Sequence, residues 1–145
     1  MKENDIIRLI LNIDTEVIKI INDKIKDSDL KYFEFRAVYN ISLIDEVSQN
    51  KLCEILGINK TMATRIIQVL EEKEYIERIN NENDHRYNIV RITDKGKEKA
   101  ALFNEIMLDI SNKLLNGITD IEQDEMYYQL LKTYGNSVAL KRKIN

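Results

Sequence analysis

The sequence predicts a mainly α-helical fold that carries one small β-hairpin, and three observations predict it. Ile, Leu, Glu and Lys abound while glycine is scarce and proline absent, a mix that favours helices and few tight turns. Apolar side chains recur at helical spacing through most of the chain. Only between Tyr75 and Ile92 does that period give way to alternation, in two short runs.

The first helix is read over Ile6 to Ile25. Ile6, Ile10, Ile13, Val17 and Ile21 form one stripe, and Ile7, Leu11, Ile18 and Ile25 a second beside it. Two adjacent stripes make a face too wide for one packing partner, so this helix is either central to its own core or shared with a partner subunit. Asp27-Ser28-Asp29 breaks the pattern and offers an N-cap to a second helix, about Leu30 to Leu43. Leu30, Phe33, Ala37, Val38 and Ile41 are its core face, Asp45 and Glu46 close it, and Ser48 is placed to cap the next.

Gln49 to Leu56 reads as a short helix with Leu52, Ile55 and Leu56 apolar. Gly57-Ile58-Asn59 then turns the chain, because Gly57 tolerates a left-handed backbone and Asn59 can cap the helix after it. Lys60 to Glu74 is that second helix, with Ala63, Ile66, Ile67 and Leu70 facing inward. Two helices joined by a short glycine-containing turn form a helix-turn-helix, and the small Ala63 lets them cross closely. The alternating runs Tyr75 to Ile79 and Tyr87 to Ile92 are strands, and the polar stretch Asn80 to Arg86 between them suits an exposed hairpin tip. A hairpin stitched to a helix-turn-helix is a winged helix.

Thr93 can cap a further helix running to about Asn116, with Phe103, Ile106, Met107, Ile110 and Leu114 on one face and Asn116-Gly117 as its stop. Thr119-Asp120-Ile121-Glu122 has the form of a capping box. It opens a last helix with Met126, Tyr127, Leu130, Leu131 and Tyr134 apolar, and the tail Lys141-Arg142-Lys143 is read as frayed.

At 145 residues, with no internal repeat, low-complexity tract or linker, the chain reads as one domain. No apolar run reaches the roughly 20 residues that span a bilayer, and the acidic N-terminus is unlike a secretory signal. The lone Cys53 cannot form an internal disulfide, which fits a reducing, cytoplasmic location. With His85 as its one histidine the chain cannot assemble a zinc site, so no metal is expected. It has no Gly-rich phosphate loop and no nucleophile beside a base, so neither a cofactor nor enzymatic catalysis is expected.

Three stretches carry a resemblance. Lys51-Leu52-Cys53-Glu54-Ile55-Leu56-Gly57-Ile58, Asn59-Lys60-Thr61-Met62-Ala63-Thr64-Arg65, and Asp84-His85-Arg86 leading into Ile92-Thr93-Asp94-Lys95-Gly96 resemble the MarR family of bacterial regulators. They match its first motif helix, the start of its recognition helix, and its wing signature Asp-x-Arg followed by Leu-Thr-x-x-Gly. Cys53 stands where a small residue such as Ala is usual, Glu74 where Gly ends the recognition helix, Asn81 where a second wing Asp is common, and His85 where Arg is frequent.

The resemblance implies one MarR-type domain over residues 1–145, with residues 1–28 and 95–145 supplying dimerisation helices and 29–94 the DNA-reading lobe. It implies a homodimeric regulator of transcription, a repressor released by a small-molecule effector, whose recognition helices enter successive major grooves of a pseudo-palindromic operator in double-stranded DNA. The wings would reach the flanking minor grooves. On that reading Asn59, Lys60, Thr61, Met62, Thr64, Arg65 and Gln68 form the reading face. Arg65 suits guanine or a phosphate, Gln68 suits adenine, and Met62 suits a thymine methyl. Thr61 and Thr64 are equally compatible with ordinary helix surface. Arg86 suits a narrow minor groove beside His85, with Asp84 positioning it through a charge-assisted pair. The same residues are also compatible with a solvated turn.

Charge restrains this reading. The net charge is −3, and from Gly57 to Lys95 the cations Lys60, Arg65, Lys73, Arg78, Arg86, Arg91 and Lys95 face an equal number of acids. Two other functions stay open: a winged-helix protein-interaction module without DNA binding, and a redox switch through Cys53. A buried structural role for Cys53 is the competing reading of that thiol. Tyr32, Tyr39, Tyr127, Tyr128 and Tyr134 either line a ligand cavity or belong to the core.

Overall fold

The chain alternates helices with three short strands in the order α1 (Asp5–Ile25), α2 (Tyr32–Ile44), β1 (Glu46–Ser48), α3 (Gln49–Leu56), α4 (Lys60–Glu72), β2 (Ile76–Ile79), β3 (Ile89–Ile92), α5 (Asp94–Leu114) and α6 (Asp120–Ile144). This computed structural model describes residues 1–79 and 88–144. The hairpin tip, with Asn81, Asp84, His85 and Arg86, lies outside the described residues. The class is the one the sequence predicts, mainly helical with a small antiparallel sheet. The chain divides into two units, Met1–Leu108 and Asp109–Asn145, and α5 begins in the first and continues into the second.

The sheet has the order β1-β3-β2, every pairing antiparallel. Ile76 pairs with Ile92 and Ile79 with Ile89 in the hairpin. Strand β1 is absent from the sequence reading, which takes Glu46 as the close of a helix. Its alternation of exposed Glu46, buried Val47 and half-buried Ser48 is a strand pattern only three residues long. Asp45, at φ 63, turns the chain out of α2 and into it.

The first unit is built around α2, whose Phe35, Ala37, Val38 and Ile41 are fully enclosed. Phe35 stacks on Phe103 of α5 at 5.4 Å, and Tyr39 meets the same ring edge-on. The sequence reading puts Phe33 in that place, yet Phe33 is half-buried. Its register is counted from Leu30, which is buried but precedes the helix. The N-cap also moves from the Asp27–Asp29 break to Lys31, whose backbone N–H donates to the Glu34 carboxylate at 2.6 Å.

The later caps match their prediction. The Ser48 hydroxyl accepts from the Lys51 N–H, and Thr93 Oγ1 accepts from the Gly96 N–H at 3.0 Å. Gly96 permits a close approach, since a Cβ there would collide with the Tyr75 carbonyl and lie 2.6 Å from Ile92 Cδ1. The start of α5 is thereby pressed against the end of the α4–β2 link. In the second unit Gly117 turns at φ 85, and the Thr119–Glu122 capping box closes in both directions, at 2.8 and 3.4 Å.

Two apolar faces remain uncovered. In the first unit α1 buries only Ile21 and Ile25, while Ile6, Ile7, Leu11 and Ile13 are each more than half exposed. In the second, α6 buries nothing and presents Ile121, Tyr127, Tyr128, Leu131 and Tyr134 to solvent. Met107 and Leu114 of the expected α5 face are exposed as well, leaving Phe103 and Ile110 as its buried members. The tail read as frayed is helical through Lys141, Arg142 and Lys143, cations favourable at a helix C-terminus.

Candidate nucleic-acid interface

Helix α4 is held at its first turn by two local devices. Gly57 adopts φ 65 and its N–H bonds the Cys53 carbonyl, ending α3. Asn59, extended at ψ 168, accepts the Met62 N–H on its side chain at 2.8 Å. With Ala63, Ile66, Ile67 and Leu70 buried, the opposite face must turn outward. It carries Lys60, Thr64 and Gln68 on one row and Thr61 and Arg65 on the next, all exposed, with Met62 half-buried at the edge. The structure therefore brings the predicted α4 residues onto one face, while Asp84, His85 and Arg86 fall outside the described residues.

Hydrogen bonding sorts these residues further. The Thr64 hydroxyl donates to the Lys60 carbonyl at 2.9 Å and accepts from Gln49 Nε2 at 2.7 Å. Gln68 Nε2 donates to Glu72 at 3.2 Å. Gln49 is a residue the sequence reading passes over. It sits at the first position of α3 and is only 8% exposed. Its spacing to Leu52 and Leu56, three and seven residues on, puts it on the buried stripe, and that is the signal available.

The cations also divide. Arg78 bonds Glu71 at 2.8 Å, and Arg91 bonds Glu46 at 2.6 Å with Glu77 at 3.7 Å. The Glu46 carboxylate raises the already high pKa of Arg91. Lys73 and Lys99 converge on Asp29, which also accepts the Tyr75 hydroxyl at 2.6 Å. Partial burial pushes the Asp29 carboxyl up, but the bonds from Lys99 and Tyr75 outweigh it and hold the group below its ordinary range. Burial raises the Tyr75 phenol, and its bond to Asp29 adds to that. Among the described residues neither Lys60 nor Arg65 has an ion-pair partner, so the N-terminal half of α4 carries uncommitted positive charge.

Comparison with known proteins points to one family. The model of the MarR family matches residues 28–86, which span α2, β1, α3, α4 and the first arm of the hairpin. The transcriptional regulator SlyA has the same fold, with a TM-score of 0.87 over 97% of this chain and 99% of that one at 21% identity. Over residues 28–86 the chain is similar to the MarR family of winged helix-turn-helix transcription regulators.

Within the MarR family, a structure from Listeria monocytogenes described as a MarR family regulator complexed with 26mer DNA is 29% identical. It aligns over 94% of this chain and 89% of its own, with a TM-score of 0.84. The HTH-type transcriptional regulator BilQ of Clostridioides difficile is 31% identical over 90 residues, 58% of this chain and 61% of BilQ, so the match spans less than two thirds of that relative. The MarR family consists of regulators and not enzymes. Among the described residues no cluster of His, Cys, Asp and Glu could hold a metal ion, and no helix is long and apolar enough to cross a membrane. The MarR-type glycine after the recognition helix is replaced by Glu74, and Glu74 nonetheless takes the left-handed conformation that glycine favours, at φ 65.

Proposed function

We propose that this chain is a homodimeric transcription regulator that reads a pseudo-palindromic operator in double-stranded DNA with α4. The observation that carries the reading is the exposed face of Lys60, Thr61, Thr64, Arg65 and Gln68 at the start of a capped, rigid helix, where Lys60 and Arg65 have no ion-pair partner among the described residues. A helix fits the major groove, about 12 Å wide, and its N-terminal turns reach the base edges. Asn59 and Met62 border that face, and the wing signature makes Asp84, His85 and Arg86 further candidates for DNA contact. A DNA reader of this kind works in the cytoplasm.

The dimer rests on the uncovered faces of α1 and α6. A soluble monomer rarely leaves so many large aliphatic and aromatic side chains in water, and a second copy of the chain is the occupant that suits each face. Residues 1–28 and 95–145 are thus the dimerisation elements and 29–94 the reading lobe. Repression with release by a small molecule is supported by an open cleft of about 490 Å³ where the end of α1, the link Ser28–Lys31 and the C-terminal end of α4 meet. Asp29, Glu34, Glu72, Lys26, Lys31 and Lys73 line it, so a polar effector of mixed charge suits it.

Fluorescence anisotropy on a duplex from the region upstream of its own coding sequence, against a scrambled duplex at two salt concentrations, tests the proposal. Salt-sensitive binding that favours the upstream duplex is expected. Absence of binding to either, with a dimer present in solution, transfers the fold to a protein-interaction role.

A further inference from the structure

Gln49 is the one buried polar side chain among the described residues. Its carboxamide joins three segments. Nε2 donates to Thr64 Oγ1 on α4 at 2.7 Å, Oε1 accepts from Asn88 Nδ2 at 3.5 Å, and its backbone N–H donates to the Asn88 carbonyl at 2.8 Å. Asn88 immediately precedes β3, so the start of α3, the exposed face of α4 and the tip-side end of the hairpin's second strand meet at one residue.

This junction fixes the bonding of Thr64. A hydroxyl has one proton and two lone pairs. The Thr64 proton goes to the Lys60 carbonyl and one lone pair takes the Gln49 amide, so no donor is left for a base edge. A threonine χ1 is stiff, and fixing Oγ1 inward fixes the γ-methyl with it. A buried carboxamide that loses its partner is penalised, so Gln49 holds this rotamer against exchange.

We propose that Gln49 is a positioning residue for base recognition. It turns the Thr64 hydroxyl into the protein so that the methyl faces the groove, where it selects thymine through the C5-methyl, and it ties this rotamer to the second strand of the hairpin through Asn88. The inference rests on the DNA-reading proposal above.

Site selection from a randomised duplex pool, followed by anisotropy on the selected duplex and on single-base variants, tests it. Thr64→Val keeps the methyl and removes the hydroxyl; Thr64→Ser does the reverse. Val is expected to keep the thymine preference at one position per half-site. Ser is expected to lose about fourfold there, the worth of one buried methyl. Gln49→Met is expected to lose a similar factor at that position and to leave the salt dependence unchanged. In the Gln49→Met background Thr64→Ser then adds nothing. Loss of the preference in Thr64→Val with retention in Thr64→Ser overturns the proposal, because the hydroxyl would then be the reader. An unchanged preference in folded Gln49→Met overturns it too. If Gln49→Met does not fold by circular dichroism, the Thr64 pair decides between methyl and hydroxyl alone. A wild-type protein that selects no sequence is a separate result, which fails the DNA-reading proposal itself.

Discussion

Replacing Glu74 by glycine should stabilise the protein. Glu74 comes just after α4 at φ 65, and its side chain is exposed, so the substitution acts almost wholly through the backbone. A non-glycine residue in the left-handed region is disfavoured by roughly 1–2 kcal/mol because its Cβ approaches the following carbonyl. Glycine removes that strain but adds unfolded-state entropy worth about 0.4–1 kcal/mol. The difference centres on about 0.8 kcal/mol in favour of Glu74→Gly, and at a shift of about 2–4 °C per kcal/mol the midpoint should rise by about 2–3 °C. The bonds at this turn survive, since Glu74 makes both through its backbone: its N–H donates to the Glu71 carbonyl, and its carbonyl accepts from the Thr93 hydroxyl.

The assay is thermal and guanidinium unfolding of wild type, Glu74→Gly and Glu74→Ala at one protein concentration, because a dimer's midpoint depends on concentration. Alanine controls for charge. It removes a carboxylate that lies close in sequence to Glu71 and Glu72 but keeps the Cβ, so it should stay within about 0.5 kcal/mol of wild type. If alanine stabilises as much as glycine, crowded negative charge and not backbone strain governs this turn, and the reasoning is refuted.

Gly96→Ala should act in the opposite sense, by about 1–3 kcal/mol or more, because the obstructing atom is the Tyr75 carbonyl and cannot swing aside; chemical denaturation reads it. Arg65→Ala should weaken operator binding and make the salt dependence shallower by about 1.8 in log–log slope, two phosphate contacts per dimer, as anisotropy over a salt series would show. The Asp29–Tyr75–Lys99 cluster predicts a stability plateau with two shoulders. Asp29 is depressed, so its contribution is lost as pH falls below about 4, whereas Tyr75 and Lys99 are raised and theirs is lost as pH climbs past about 10. Tyr75→Phe should reduce the alkaline shoulder in unfolding curves across pH. Cys53→Ser should leave operator affinity unchanged in both reducing and oxidising buffer, while a loss confined to the oxidised wild type would restore the redox reading.

The features most legible in the sequence are those settled within a few residues. Ser48, Asn59, Thr93 and the Thr119–Glu122 pair each cap a helix through a side chain at most three residues from its partner, so composition and order suffice. The buried face of α4 is equally plain because Ala63, Ile66, Ile67 and Leu70 keep one helical register from cap to stop. Strand β1 is not legible, since Glu46 meets Arg91 45 residues away and nothing local asks three residues to be a strand. Phe33 stands in for Phe35 in the sequence because an apolar residue just before a helix shifts the apparent register. Gln49 escapes notice for a different reason: a polar residue on an apolar stripe looks like an interruption until its partners Thr64 and Asn88 are seen.

The even charge of the reading lobe, which counts against DNA binding in the sequence, changes meaning once the pairs are known. Arg78 and Arg91 are neutralised within or beside the sheet by Glu71, Glu46 and Glu77, and Lys73 leans on Asp29. Such exposed pairs add little to stability, about 0–1 kcal/mol each, but they remove the acids as a source of repulsion toward phosphate. Lys60 and Arg65 are left to act with little local opposition. On the proposed reading, a dimer with so few uncommitted cations on α4 cannot bind all DNA tightly and then discriminate by small differences. Non-specific affinity comes almost wholly from phosphate neutralisation and is therefore low here. Discrimination has to come from groups without charge, and on α4 those are Thr61, Met62, Thr64 and Gln68. On the proposed reading, the rigidity supplied by Asn59 and Gln49 is therefore what would make a weakly charged helix selective.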